Sequence, residues 1–345
     1  MPPLEQLGVV TSHSGVLIFI DTGYLRLWSH QQTPEMPDGV LADDESTAKA
    51  NSFVDLHLVG KHAEQAGYLL GMSWHPSYVY DQPQVNPELE EKFETLVLKH
   101  HLDASFEVIS PRIPHRRRAD LALQHGQGAG EVQFHGIMAV VIGGIPRNQT
   151  IRVLGERCEE PNTDRWRRII VECSPNKMVF RSLEVGAIAV DYARILVADL
   201  DALGIWKHDE SLDALSDYLF WGRDADLVAA AFNAPKLGDN EFGWLNLAAD
   251  AAEENGVAVE EYRDKHSLKI AVDYRPHSHH WQVMKDVRAS RTESSTTELG
   301  GVQVCNFMTT WGDGFFVVHR DMGKDDELIQ VRLEMEPEPS MPGLM

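Results

Sequence analysis

Three histidines and a tryptophan fall within five residues, His277-Ser278-His279-His280-Trp281. Neutral imidazole is the commonest transition-metal ligand. On an extended strand His277 and His279 share one face, because the side-chain period is two. With a carboxylate such as Asp199 or Asp313 they make a three-ligand set for a divalent metal, and Asp224 or Glu293 becomes the base that activates bound water. That is the chemistry of a metal-dependent hydrolase. The plainer reading is a polar turn whose histidines are exposed or bonded locally. A second segment, Thr309-Thr310-Trp311-Gly312-Asp313-Gly314, sets an acid between two glycines ahead of the apolar run 315–318. Glycine admits positive φ and close approach of a ligand to the backbone, although Asp-Gly is also ordinary hairpin chemistry. Nucleophilic catalysis has little to draw on: Cys305 sits in an apolar run, and residues 294–297 offer hydroxyls without a motif. No glycine-rich dinucleotide fingerprint, P-loop or Gly-x-Ser-x-Gly elbow occurs.

The totals narrow the partners. The 345 residues carry 31 Lys and Arg against 53 Asp and Glu, a formal charge of −22. Such a surface repels nucleic-acid phosphate and anionic lipid, so neither is expected as a partner. The compact basic cluster Arg116-Arg117-Arg118 reads as a solvated loop or helix start. Hydrophobic residues at 43% and charged residues at 24% suit a globular chain with a sizeable core, and the length favours about two domains. Cys158, Cys173 and Cys305 form no CxxC pair, which fits a reducing cytoplasm. The first residues lack the basic-then-apolar pattern of a signal peptide, and the longest apolar runs are too short to span a bilayer.

The chain resembles itself. Gly8, Asp21, Leu25, Trp28 and His30 match Gly186, Asp199, Leu203, Trp206 and His208 without a gap. A second block, 54–64, matches 216–226. Pro114-His115 then falls where Pro276-His277 falls, and 151–154 with 166–172 answer 315–318 with 328–335. Four blocks in one order predict an internal duplication. The first copy is 1–180, the second 181–335, and a proline-rich tail, 336–345, is expected to fray. A polar insertion at about 31–46 distinguishes the first copy.

Each copy must position these residues with a mixed set of elements. An apolar strand runs into Asp21 or Asp199, and a second strand ends at Gly60 or Gly222. Helical composition follows at 63–70 and 225–232, then at 87–100 and 245–255. A further strand and a β-hairpin close each copy. Strands and helices without regular βαβ alternation predict an α+β fold, two tandem copies of one domain. Recurrence of Asp21 and Asp199 predicts a shared architectural role, capping the next turn through backbone N–H groups.

The C-terminal copy resembles uncharacterised bacterial domain-of-unknown-function proteins in which an early strand runs into Asp and the domain closes on a Gly-Asp-Gly-aromatic hairpin. The matching residues are Val190-Asp191, Val197-Ala198-Asp199 and Trp311-Gly312-Asp313-Gly314-Phe315. The resemblance implies a fold and no assigned activity. The leading expectation is therefore a binding or interaction protein of the bacterial cytoplasm, with a protein or small-molecule ligand. Its surface is expected on the second copy at His279, His280, Trp281, Trp311 and Asp313. The metal-dependent hydrolase, with His277, His279 and Asp199 as ligands, is the rival.

Overall fold

The computed structural model describes residues 4–34, 53–71, 79–83, 86–159 and 164–336. The expected insertion at 31–46 lies mostly outside the described residues, as does the tail beyond Glu336. The first segment runs β1 (Leu4–Thr11), β2 (Val16–Asp21), a 3-10 turn (Thr22–Leu27), β3 (Phe53–Val59), α1 (Ala63–Leu70), β4 (Val79–Pro83), α2 (Pro87–His100), β5 (Ser105–Ile109), α3 (His115–His125), β6 (Ala129–Phe134), β7 (Ile137–Gly143), β8 (Thr150–Arg157) and β9 (Trp166–Glu172). The second runs β10 (Arg181–Val190), β11 (Arg194–Asp199), a 3-10 turn (Ala202–Ile205), β12 (Leu215–Trp221), α4 (Ala225–Phe232), β13 (Lys236–Gly238), β14 (Glu241–Ala248), α5 (Ala249–Lys265), β15 (Ala271–Pro276), α6 (His279–Ala289), β16 (Ser294–Leu299), β17 (Val302–Met308), β18 (Gly314–Met322) and β19 (Leu328–Glu334). The two series share one order apart from the short β13. The helix expected over 245–255 begins later, because β14 continues to Ala248.

The fold is α+β, with antiparallel pairing throughout its four sheets. The chain divides into two compact units, Met1–Ile205 with Ala289–Met345, and Trp206–Arg288. The boundary drawn from the repeat, at 180/181, lies inside the first unit. Strand exchange is the physical reason. One six-stranded sheet of that unit has the order β16-β17-β11-β2-β7-β6, the other β1-β8-β9-β19-β18-β10. Each takes three strands from either segment. β2 and β11 pair with Phe19 opposite Val197, the residues that the repeat itself aligns. β1 packs on β16 and β17, while β10 packs on β7 and β2. Each opening strand thus covers the other segment's sheet.

The core between the two sheets follows the strand period. Leu17 and Phe19, Val140 and Ile142, Ile195 and Val197, Phe316 and Val318, and Val331 and Leu333 all point inward. Each large side chain buried this way contributes about 1.5–3 kcal/mol. In the central strands Ile18, Ile20, Leu196 and Ala198, on the opposite face, are also buried, so these strands read as continuous apolar runs. β1 and β10 each carry a bulge at the aligned positions Gln6/Gly8 and Glu184/Gly186. A Cβ on Gly8 would lie 2.4 Å from Thr296 Oγ1, and one on Gly186 2.1 Å from the Glu131 side chain. Only glycine admits that approach at the bulge.

Asp21 and Asp199 do what their recurrence predicts, and more. Asp21 accepts from Gly23 N at 2.8 Å in its own 3-10 turn, and from Asp191 N and Tyr192 N in the β10–β11 turn. Asp199 accepts from Asp201 N and Ala202 N, and reaches Ser12 Oγ (2.6 Å), Ser14 N and Ser14 Oγ in the β1–β2 turn. Each carboxylate caps its own segment and ties it to the other. A smaller sheet, β4-β3-β5, belongs to the same unit and packs Leu58 and Phe93 with Ala66 and Leu70 of α1.

The second unit is a four-stranded sheet, β13-β14-β12-β15. Tyr218, Phe220 and Phe242 pack against Val228 of α4 and Val259 of α5. His62 and Asp224 stand at matching positions before α1 and α4. Each accepts a backbone N–H, from Asp103 at 2.9 Å and from Lys269 at 2.7 Å. Different side chains close the same turn. No helix among the described residues is long and apolar enough to cross a membrane.

Candidate functional site

The histidine segment is not a strand. β15 ends at Pro276 and α6 begins at His279. Ser278 Oγ accepts from Trp281 N at 3.1 Å, the bond of a helix N-cap. His277 and His279 therefore do not alternate on one strand face, as their spacing suggested. His277 is buried, with Nδ1 3.1 Å from Asp213 and Nε2 3.2 Å from Asp217. Its ring stacks on Trp281 at 4.2 Å. His279 Nδ1 accepts from Lys207 N at 2.9 Å, and its ring stacks on Trp206. His280 stacks on His208 at 4.0 Å. In the first unit His115 likewise opens α3, accepts from Ser29 N through Nδ1 and lies 5.4 Å from Trp28. The structural counterpart of His115 is thus His279, and the sequence match with His277 is corrected. Among the described residues no three His, Cys, Asp or Glu side chains gather where they could hold a metal ion.

The Asp213–His277–Asp217 bridge has a pH consequence. Burial depresses the imidazole's affinity for its proton, but the two carboxylates outweigh it and the net shift is upward. A raised folded pKa contributes stability that is complete below the unfolded value of about 6.5 and is lost as pH rises through the folded value. Thermal melts of wild type should therefore lose stability from about pH 6.5 upward. His277→Gln should flatten that dependence. Identical pH profiles for the two proteins would contradict the bridge.

Trp311 and Asp313 belong to the first unit. Trp311 Nε1 donates to the Trp166 carbonyl at 2.7 Å, and Arg165 lies 4.4 Å over its ring. Thr310 Oγ1 accepts from Trp166 N, and Thr309 Oγ1 donates to the Gly312 carbonyl. The segment clamps the β17–β18 turn onto β9, leaving Asp313 exposed at the tip. Asp224 is tied to Arg223 and to Lys269 N, and the Arg223 hydrogen bond holds its carboxyl down at about 2, which makes it a poor base. Glu293 is exposed at the turn before β16. Arg116 pairs with Asp120 and Asp201, whereas Arg118 is buried against Asp55.

The sequence reading passed over a cavity of about 730 Å³ in the first unit. It opens between the turns at Gln127-Gly128 and Gly143-Gly144 and the ends of β10, β18 and β19. Its volume falls within the roughly 300–1,000 Å³ of small-molecule sites. Leu183, Met322 and Leu328 form its apolar wall. Arg320 supplies the cation. Its Nη1 donates to the Gln127 carbonyl at 3.2 Å, while its buried Nε has no partner among the described residues. Burial and the neighbouring Arg181 both disfavour its charge. The other charged groups here are satisfied. Arg181 pairs with Asp326 at 2.6 Å, and Glu327 accepts from Ser174 Oγ at 2.5 Å.

The opposite end of the sandwich explains why the space exists. Glu156/Arg157 and Asp321/Met322 are matching bulges, each with its acid buried. Beyond them Arg157 pairs with Trp166, and Met322 with Leu328. Trp166 is fully buried over Gly155, where a Cβ would lie 2.7 Å from its ring, and Arg157 stacks on it at 3.4 Å. At the cavity end Arg320 stands in the place of Gly155 and Leu328 in that of Trp166. One end is plugged and the other is open. Compared with known proteins, the chain has no significant match to a family model, a curated protein or a solved structure.

Proposed function

We propose that this chain is a binding protein for a small organic anion, with Arg320 as the anchor of the cavity at the open end of the sandwich. The carrying observation is the half-buried Arg320 guanidinium lining the cavity, a cation that no carboxylate among the described residues compensates. A half-buried cation without a carboxylate partner is poised to form a charge-assisted hydrogen bond with a ligand carboxylate or phosphate. Arg181, Leu183, Arg320, Met322 and Leu328 come from the second segment, while Gln127, Gly128, Gly143, Gly144, Pro146 and Cys173 come from the first, so both segments build this surface and none of the residues expected from the sequence lines it. The same reading takes the chain as a tandem duplication of one α+β domain. Support comes from the shared element order, two pairs of matching bulges and the reciprocal Asp21 and Asp199 caps. One copy has kept its end of the sandwich closed with Trp166. Sparse cysteine usage, three residues with no CxxC pair, supports a reducing compartment, the cytoplasm.

Thermal melting against a panel of small anions tests the reading. A ligand at a hundredfold excess over its Kd should raise Tm by about 5 °C. Arg320→Gln should abolish the rise while leaving the unliganded Tm equal or higher, because a half-buried cation without a carboxylate partner has been removed. A panel in which no anion stabilises wild type more than Arg320→Gln would sink the proposal.

A further inference from the structure

Resting on that reading of the cavity, we infer that the ligand is a monocarboxylate with an apolar body, rather than a phosphate or a dicarboxylate. The charge arrangement points to a single negative charge. Two arginines and two acids face the space, and Arg181 is already paired with Asp326. One carboxylate completes the pairing of Arg320. A second negative charge would meet Glu327 and Asp326 at short range, inside a molecule whose formal charge is already −22.

The apolar body follows from the walls and the rim. The cavity holds far more room than a bare carboxylate needs, and Leu183, Met322 and Leu328 line it. Beside its mouth runs Met178-Val179-Phe180, an apolar tripeptide with 76%, 42% and 71% of its surface exposed. Phe180 N donates to the Met322 carbonyl at 2.8 Å, which fixes the strip next to the lining strand. Contiguous exposed apolar groups at the edge of a polar-anchored cavity mark where a ligand's hydrocarbon part lies.

The test is calorimetric titration of the full chain with acetate, butanoate and hexanoate, and with hexanol, adipate, hexyl phosphate and inorganic phosphate. Affinity should tighten about fourfold per methylene along the carboxylates. Hexanol, adipate and both phosphates should bind at least about tenfold more weakly than hexanoate, the discrimination of one unmatched charge. Arg320→Gln should reduce hexanoate to the level of hexanol, and Arg320→Lys should retain part of the difference. Phe180→Ser should lower the gain per methylene while leaving acetate unchanged. Circular dichroism of each variant separates lost binding from lost fold. Arg320-dependent binding of either phosphate tighter than hexanoate would overturn the ligand class and leave the anion site standing. Equal binding of acetate and hexanoate would overturn the apolar body. Absence of any Arg320-dependent binding would remove the anion site itself.

Discussion

Arg320→Gly combined with Leu328→Trp is expected to abolish anion binding, by at least about a hundredfold, while leaving the protein folded with Tm equal to or above wild type. The pair copies the closed end of the sandwich. There Gly155 leaves the space that the Trp166 ring fills, and the strand partner Arg157 lies against that ring. At the open end the strand partner of residue 328 is Met322, whose thioether packs well against an aromatic ring. The substitution removes an uncompensated cation and buries a large apolar side chain in its place. Burial of the indole, about 1.5–3 kcal/mol, outweighs the roughly 0.5–1 kcal/mol cost of a glycine within a strand, so loss of binding would come with no loss of stability. Titration with hexanoate beside a thermal melt reads both quantities. Binding that survives the plug would place the ligand elsewhere.

Asp55→Ala should act on folding instead, destabilising the protein by about 3–5 kcal/mol. Asp55 and Asp81 face each other across β3 and β4, both fully buried. Arg112 bridges them at 3.2 and 2.7 Å, and the buried Arg118 adds a further pair with Asp55. Asp55 also accepts from Ile113 N at 2.6 Å. Removing this carboxylate leaves Arg118 buried without its ion pair and releases the turn that leads into α3. Asp217, its counterpart in β12, accepts only from Asn246 N and the shared His277, so Asp217→Ala should cost clearly less. Urea unfolding of the two variants compares them. Equal losses would mean that the arginine cluster adds nothing to the role of this strand aspartate.

Aromatic rings surround this cluster. Trp28, His115, Phe134 and His135 pack around it with ring centroids 5.2–5.5 Å apart. Burial holds the His115 imidazole well below its ordinary pKa, hence neutral, and its Nδ1 accepts from Ser29 N. In the second segment Gln282 and Gly300 hold the corresponding places of Arg118 and His135. The charged knot is particular to the first segment, which the arginine run alone did not convey.

Local periodicity made much of the fold legible. The runs into Asp21 and Asp199 became β2 and β11, and the composition of 63–70 and 225–232 became α1 and α4. Ser278 caps α6 through Trp281 N, a local signal that the histidine-strand alternative overlooked. Elsewhere longer-range partners decided. The last block of the repeat was one residue out. Gly8 pairs with Val153 and Gly186 with Val318, so Ile151 answers Phe316 rather than Phe315. A slip of one residue exchanges the two faces of a strand. The cavity was illegible for the same reason. Arg320 sits in a strand of ordinary composition, and of its neighbours Leu328 is near in sequence, whereas Gln127 and Arg181 come from distant stretches. The one available signal was the repeat itself, which sets an arginine against a glycine and a leucine against a tryptophan once the register is correct.

A crystal structure of the full chain with a bromine-labelled hexanoate would locate the ligand itself. One anomalous peak is expected within the cavity, with the carboxylate hydrogen-bonded to Arg320 and the bromine toward Leu183, Met322 or Phe180. A peak elsewhere, or an empty cavity at saturating ligand, would contradict this placement.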